Sequence, residues 1–324
     1  MYKVNSVIDR FPVNSRHILA LVGALIMGNA QAVTIIGYTG AANDRFSSGY
    51  ATAPVPNTSG SFIGAGLDFS GVGWNPALTT QSFTMISDEY FVFASHYPPS
   101  SSISFFSPTL YAAHPGDPAS AVVTYSVSGV THRLNSPITG LPSDFSVGKL
   151  STAISAAHGI GAYSILGYPT LGDYVGLPLL VYGHGGFGTS NSPRIGTNTL
   201  DGFIHYDLNG DLLNETYAYG FSASASPTGE ARLEGGDSGS PSFTVINGEL
   251  VLLGTHSAIG TLSGVDYSFD NFIPIYLSQF APLSIEFSVV PEPSRAVLLM
   301  AGLLFVFTGR QTSARSRRAR SPHR

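Results

Sequence analysis

The sequence of 324 residues has no cysteine, so no disulfide braces the fold and the packing of a core must hold it alone. Charge is also scarce. Asp, Glu, Lys and Arg make up 11% of the chain, against roughly 25% in ordinary soluble proteins. Bases are scarcest in the middle. Between residues 33 and 290 the strong bases are Arg45, Arg133, Lys149, Arg194 and Arg232, facing 18 carboxylates, for a formal charge near −13. Such a balance argues against a nucleic-acid partner, because phosphate binding rests on clustered Lys and Arg. The core also lacks an internal repeat, a charge run and any long 3.6-residue apolar period. A segment of about 250 residues is long enough to fold on burial alone, since a chain of that size hides roughly 70–75% of its surface.

What is present is Gly, Ser, Thr, Pro, Tyr and Phe, with short β-prone runs set apart by turn residues at intervals of roughly 8–12. Tyr90–Phe93, Ala121–Val127, Leu179–Tyr182, Ser242–Ile246 and Leu250–Leu253 read as strands, and Asn209-Gly210 and Asn247-Gly248 as hairpin turns. A short helix is expected near Ile273–Phe280. The pattern predicts an all-β barrel or sandwich. Residues 33–80 are loop-like and read as an N-terminal arm or propeptide-like segment. Asp207, Asn209, Asp211 and Glu215 alternate like calcium ligands, but the glycine required after the third ligand is missing and an Asn-Gly hairpin explains the same letters. The stretch Tyr182–Gly188 is glycine-rich but lacks the strand–GxGxxG–helix setting of a nucleotide loop. No metal and no cofactor are expected.

Both ends carry targeting features. Lys3, Arg10 and Arg16 precede the apolar run Ile18–Met27, and Ala30-Gln31-Ala32 offers a small-x-small cleavage pattern. That predicts a secretory signal over 1–32, since a membrane-spanning helix needs about twenty apolar residues. At the other end, Val290-Pro291-Glu292-Pro293 is followed by apolar Ala296–Phe307 and then by Arg310, Arg315, Arg317, Arg318, Arg320 and Arg324. This order resembles the PEP-CTERM sorting tail of exopolysaccharide-producing Gram-negative bacteria. The resemblance, over 289–324, implies transient membrane anchoring, contact with a sorting and processing machinery, and delivery to the envelope surface or beyond. A plain C-terminal anchor with its arginines on the cytoplasmic side places the core outside the cytoplasm as well.

The residues richest in chemistry are Gly235-Gly236-Asp237-Ser238-Gly239-Ser240-Pro241. Glycine at 236 lets the N–H groups of Gly236 and Ser238 point together without a Cβ in the way. A serine hydroxyl needs a base. His96 is preferred among nine histidines because it ends the run Tyr90-Phe-Val-Phe-Ala-Ser-His96, whereas His114, His158, His184 and His205 sit in turn-rich or polar stretches. Asp144 opens Asp144-Phe-Ser-Val-Gly-Lys-Leu150. Its rivals Asp117 and Asp173 are flanked by Gly or Pro and read as turn residues.

The Gly-Asp-Ser-Gly-Ser-Pro loop, the strand leading to His96 and the Asp144 strand resemble the three sites of chymotrypsin-like serine peptidases, in the chain order His, Asp, Ser. The separations of 48 and 94 residues suit that order. The resemblance covers roughly residues 80–280. It implies two six-stranded antiparallel Greek-key barrels over 81–288 with the site between them, a triad of His96, Asp144 and Ser238, an oxyanion hole from Gly236 and Ser238, and a protein or peptide substrate. After the nucleophile strand, Leu253-Gly-Thr-His256-Ser257 is similar to the wall of the specificity pocket in bacterial glutamyl endopeptidases, where a histidine holds an acidic side chain. His256 and Ser257 match it, and Arg232 falls where the pocket base commonly lies. An acidic residue before the scissile bond is the expectation that follows. The competing readings are a catalytically silent β-rich surface protein with the same fold, and an α/β-hydrolase esterase. The second fails on Ser240, which breaks Gly-x-Ser-x-Gly, and on the missing strand–helix alternation.

Overall fold

The structure, a computed structural model, describes residues 33–184, 192–208, 215–222, 229–262 and 265–291. The expected signal segment 1–32 and the expected tail from 292 onward lie outside the described residues, as do 209–214 of the Asp207–Glu215 stretch and 185–188 of the glycine-rich stretch. Among the described residues no helix is long and apolar enough to cross a membrane.

Six strands form the first half: β1 (Val72–Asn75), β2 (Leu78–Met85), β3 (Tyr90–Ala94), β4 (Ser102–Phe106), β5 (Val122–Asn135) and β6 (Pro142–Leu150). They pair antiparallel in the ring β1-β2-β3-β6-β5-β4, and β4 returns to β1, so the barrel is closed. Successive side chains on a strand face opposite ways. In β3, Phe91 and Phe93 therefore fill the barrel with Phe83, Ile103 and Phe105, while Tyr90 and Val92 join Phe145 and Val147 outside it. A strand buried on both faces reads as an unbroken apolar run. The outer cluster continues into Tyr182, Phe243, Leu252 and Tyr276, and so joins the two halves.

The second half contains β7 (Pro178–His184), β8 (Pro193–Thr199), β9 (Gly202–Asp207), β10 (Glu215–Ser222), β11 (Pro241–Ile246), β12 (Glu249–Leu262) and β13 (Val265–Phe272). Their order is β8-β7-β11-β12-β13-β10-β9. Asn247 and Gly248, between β11 and β12, stand at φ +54° and +85°, as a two-residue type I′ hairpin requires. The all-β, two-barrel architecture expected from the sequence is present, with one difference. Among the described residues no ladder joins β8 to β9. The edge of β8 bonds instead to the segment near residue 230 and to the end of β10: the Thr197 N–H donates to the Gly229 carbonyl at 2.8 Å, and the Asn198 amide donates to the Ala231 carbonyl and to that of Ser222. The second barrel is therefore a curved, open sheet.

Residues 33–80 are packed into this body. Thr34–Ile35 pairs antiparallel with Ala231–Arg232, Val33 and Ile35 lie in the core of the second half beside Ala231 and Leu233, and Phe46 packs with Trp74 and Phe106. The boundary expected at residue 81 falls inside β2, because the turn-rich spacing of this stretch conceals apolar residues that serve both halves. Ile273–Gln279 forms a 3₁₀ helix where a short helix was expected. Val289–Pro291 pairs parallel with Ile165–Gly167, so the first residues of the expected tail belong to the body.

Candidate active site

Register places Asp144 and His96 side by side. The β3–β6 ladder runs through Phe93↔Ser146 and Ala94↔Phe145, and the next bond, from the Ser95 N–H to the Asp144 carbonyl at 3.0 Å, keeps the two chains level. His96 thus leaves β3 beside Asp144. The Asp144 side chain is 0% exposed and that of His96 27%. The carboxylate Oδ1 accepts from the His96 backbone N–H at 3.0 Å and from Nδ1 at 2.8 Å, with Oδ2 2.9 Å from Nδ1. A carboxylate can only accept, so Nδ1 carries a proton, and in the neutral ring Nε2 keeps its lone pair. That lone pair faces the Ser238 Oγ at 2.8 Å.

Ser238 sits on a loop held from behind. The Gly239 N–H donates to the His256 carbonyl at 2.9 Å and the His256 N–H to the Ser240 carbonyl at 2.8 Å, which fastens the loop to β12. Asp237 points inward, where its carboxyl accepts from the N–H groups of His184 at 3.1 Å and Glu234 at 3.0 Å. Burial pushes the Asp237 pKa up to about 7, against the lowering pull of His256 and of those two N–H groups. Gly183 leaves room for this carboxyl: a Cβ there would stand 2.2 Å from Val33 Cγ2 and 2.6 Å from Asp237 Oδ1. Gly236 has φ +106°, a conformation that L residues with side chains rarely adopt. Among the described residues, neither the Gly236 N–H nor the Ser238 N–H donates to an acceptor.

A second polar layer backs the carboxylate. Ser257 Oγ donates to Asp144 Oδ2 at 2.6 Å, Tyr206 donates to Ser257 Oγ at 3.1 Å, and the Asn271 amide donates to the Asp144 carbonyl at 3.0 Å. Here the expectation for His256 is corrected. Its side chain is 1% exposed, with Nδ1 2.7 Å from Asp270 Oδ1 and Nε2 2.7 Å from the Tyr182 carbonyl. Both partners only accept, so both nitrogens carry protons and the ring is an imidazolium, leaving no N–H for a substrate carboxylate. Burial works against that charge, but the charge and hydrogen bond of Asp270, with Asp237 and the Tyr182 carbonyl, outweigh it and raise the pKa. Tyr219 completes the cluster by donating to Asp270 Oδ2 at 2.6 Å. The Ser257 hydroxyl is likewise engaged with Asp144 rather than open to substrate.

Arg232 lines a cavity of about 240 Å³ together with Leu233, Glu234, Ile259, Asp266 and Ser268. Its guanidinium is 46% exposed and pairs through Nε with Glu234 Oε1 at 3.1 Å, an oxygen that also accepts from Thr34 Oγ1 at 2.9 Å. Asp266 accepts from Thr261 at 2.7 Å. The cavity therefore holds two carboxylates and one guanidinium already neutralised by one of them, which does not favour an acidic side chain.

The other candidates have separate settings. His158 Nδ1 meets the Tyr125 hydroxyl at 2.8 Å, His184 Nε2 meets Ser82 Oγ at 2.7 Å, and Asp173 accepts from Thr170 at 2.6 Å. Sequence reasoning passed over Tyr206, Tyr219 and Asp270. The available signal for Asp270 was a carboxylate inside the apolar stretch Tyr267-Ser-Phe-Asp-Asn-Phe272, where burial demands a partner.

No family model matches the sequence, and no curated protein matches it. Among solved structures the chain is similar to human heparin binding protein, at 16% identity over 70% of this chain and 96% of that one, with a TM-score of 0.47. A double mutant of the same human protein gives 14% identity over 67% of this chain and 92% of that one, with a TM-score of 0.44.

Proposed function

We propose that this protein is a serine endopeptidase of the chymotrypsin-like type. The observation that carries the reading is the 2.8 Å approach of His96 Nε2 to Ser238 Oγ, with the far side of the same ring held by buried Asp144. In the proposed reaction Ser238 Oγ attacks the scissile carbonyl and its proton passes to His96 Nε2. Asp144 keeps the Nδ1 tautomer and stabilises the imidazolium without taking the proton. The oxygen that becomes negative is received by the N–H groups of Ser238 and of Gly236, whose φ is +106°. His96 then gives its proton to the departing amine, leaving an acyl group on Ser238. Water, deprotonated by the same ring, attacks that ester and restores the serine hydroxyl.

Protein or peptide is the proposed substrate. The acid preference expected from His256 and Arg232 has lost its main support, because the first is sealed in and the second is paired with Glu234. Export by a signal over 1–32, residence at the envelope surface or outside the cell, and transient anchoring through 289–324 with processing by a sorting machinery belong to the same proposal and rest on the sequence features of both ends. A ready nucleophile and base favour the enzyme over a silent surface protein of the same fold.

Labelling with a fluorophosphonate tests the reading. The full chain is expected to take up one label on Ser238, Ser238→Ala none and His96→Ala very little. A wild-type protein that stays unlabelled while correctly folded would sink the peptidase assignment and leave the silent protein standing.

A further inference from the structure

Behind the proposed triad, a phenol reaches the acid through one intermediate hydroxyl. Tyr206 lies on β9 opposite Thr216 of β10, its ring packed on Phe269 at 5.7 Å between centroids. Its hydroxyl donates to Ser257 Oγ at 3.1 Å, and Ser257 donates to Asp144 Oδ2 at 2.6 Å. The β9–β10 hairpin thus contributes to a site whose other members come from β3, β6, β12 and the nucleophile loop.

The Ser257 hydroxyl has one proton to give and lone pairs to fill. Left alone it can turn toward any nearby acceptor. With a lone pair occupied by the Tyr206 proton, its own proton is committed to Asp144, and each bond of such a chain polarises the next. Burial raises the Tyr206 pKa, so the phenol keeps the proton this role requires. The charged groups facing Tyr206 are Asp144 and Asp270. Asp270 is already satisfied by His256 and Tyr219, which leaves Asp144, reached through Ser257, as the carboxylate the phenol can serve.

We propose that Tyr206 is a positioning residue: by donating to Ser257 it fixes that hydroxyl on Asp144, and so holds the carboxylate square to the His96 ring. The proposal rests on the reading of His96, Asp144 and Ser238 as a triad.

The test is a double-mutant cycle with a spectroscopic readout. Tyr206→Phe keeps the ring and removes the donor, and is expected to lower kcat about 5-fold, the worth of roughly one net hydrogen bond, with KM within about twofold. Because Tyr206 acts through Ser257, adding Tyr206→Phe to Ser257→Ala is expected to cost nothing further, whereas a merely structural role would add its full loss. In the proton NMR spectrum, the low-field Nδ1–H signal of His96 is expected to move in the same direction in Tyr206→Phe and Ser257→Ala. Additive losses, or an Nδ1–H signal unmoved by Tyr206→Phe, would overturn the proposal. Should Tyr206→Phe fail to fold, 3-fluorotyrosine at position 206 preserves the bond and strengthens the donor. It is expected to shift the His96 signal opposite to Ser257→Ala, and no shift would count against the role. The NMR readout needs no turnover. If the wild type proves inert to fluorophosphonate, the peptidase reading fails by itself, while an active wild type with additive losses removes only Tyr206.

Discussion

Asp144 has 0% side-chain exposure yet stays a hydrogen-bond acceptor on both oxygens, met by His96 and Ser257. Asp144→Asn places an amide where Nδ1–H needs an acceptor, so the imidazole turns to the wrong tautomer. The expected result is a fall in kcat of about 10⁴-fold on a peptide ester, the loss known for this change in the chymotrypsin triad, with fluorophosphonate labelling slowed to match. Near-normal turnover would remove Asp144 from the mechanism. At the cavity lined by Arg232, a peptide library is expected to show no enrichment of Glu or Asp before the cleaved bond, since Glu234 already neutralises Arg232. Strong acidic enrichment would return Arg232 to substrate binding. The three side chains His96, Asp144 and Ser238, the first within hydrogen-bond reach of the other two, could be singled out because each is set by a few neighbouring letters. His256 misled because its partner Asp270 lies 14 residues on, across a hairpin, and nothing local announces that contact.

Among the elements, the two-residue strand Thr34–Ile35 does more than its length suggests. It pairs with Ala231–Arg232, sends Thr34 to Glu234 and buries Ile35 in the second core. Ile35→Ala is expected to lower the unfolding free energy by about 2–4 kcal/mol in urea titrations, the usual cost of emptying a buried aliphatic site. A change under 1 kcal/mol would mean that this strand is dispensable. The longer strands were readable from their apolar runs, and the Asn247-Gly248 turn from its dipeptide. Residues 33–71 were not, because their apolar side chains are spaced by turns rather than by a strand period, and each packs against a distant element: Val33 and Ile35 on one half, Phe46 on the other.

For the molecule as a whole, two buried groups contribute to the response to pH. Asp237, raised to about 7 from 3.8, binds a proton in the folded state that the unfolded chain releases near pH 4. Stability from this group is full below pH 4 and is lost as pH rises through about 7. His256, raised above 6.5, acts with the same sign: its contribution is full below the unfolded value and is lost as pH climbs through the folded one. Tm is therefore expected to be higher at pH 5 than at pH 8, by roughly 5 °C or more, and the difference is expected to shrink in Asp237→Asn. A Tm that climbs from pH 5 to pH 8 would contradict both assignments. An all-β barrel or sandwich could be read from strand spacing and the two-barrel plan from the resemblance, but the way each half finishes could not, since closure depends on which strand meets β8 and not on its own letters.

That unequal finish divides the labour of the site. The half that carries the His96 imidazole and the Asp144 carboxylate is a hoop with no loose rim, whereas the half that carries the Ser238 hydroxyl is a sheet with a seam. Heat loosens protein structure first where pairing is incomplete. Gentle warming would then draw Ser238 away from a His96 ring that is still held by Asp144, so that the proposed activity fades before the hoop gives way and returns on cooling.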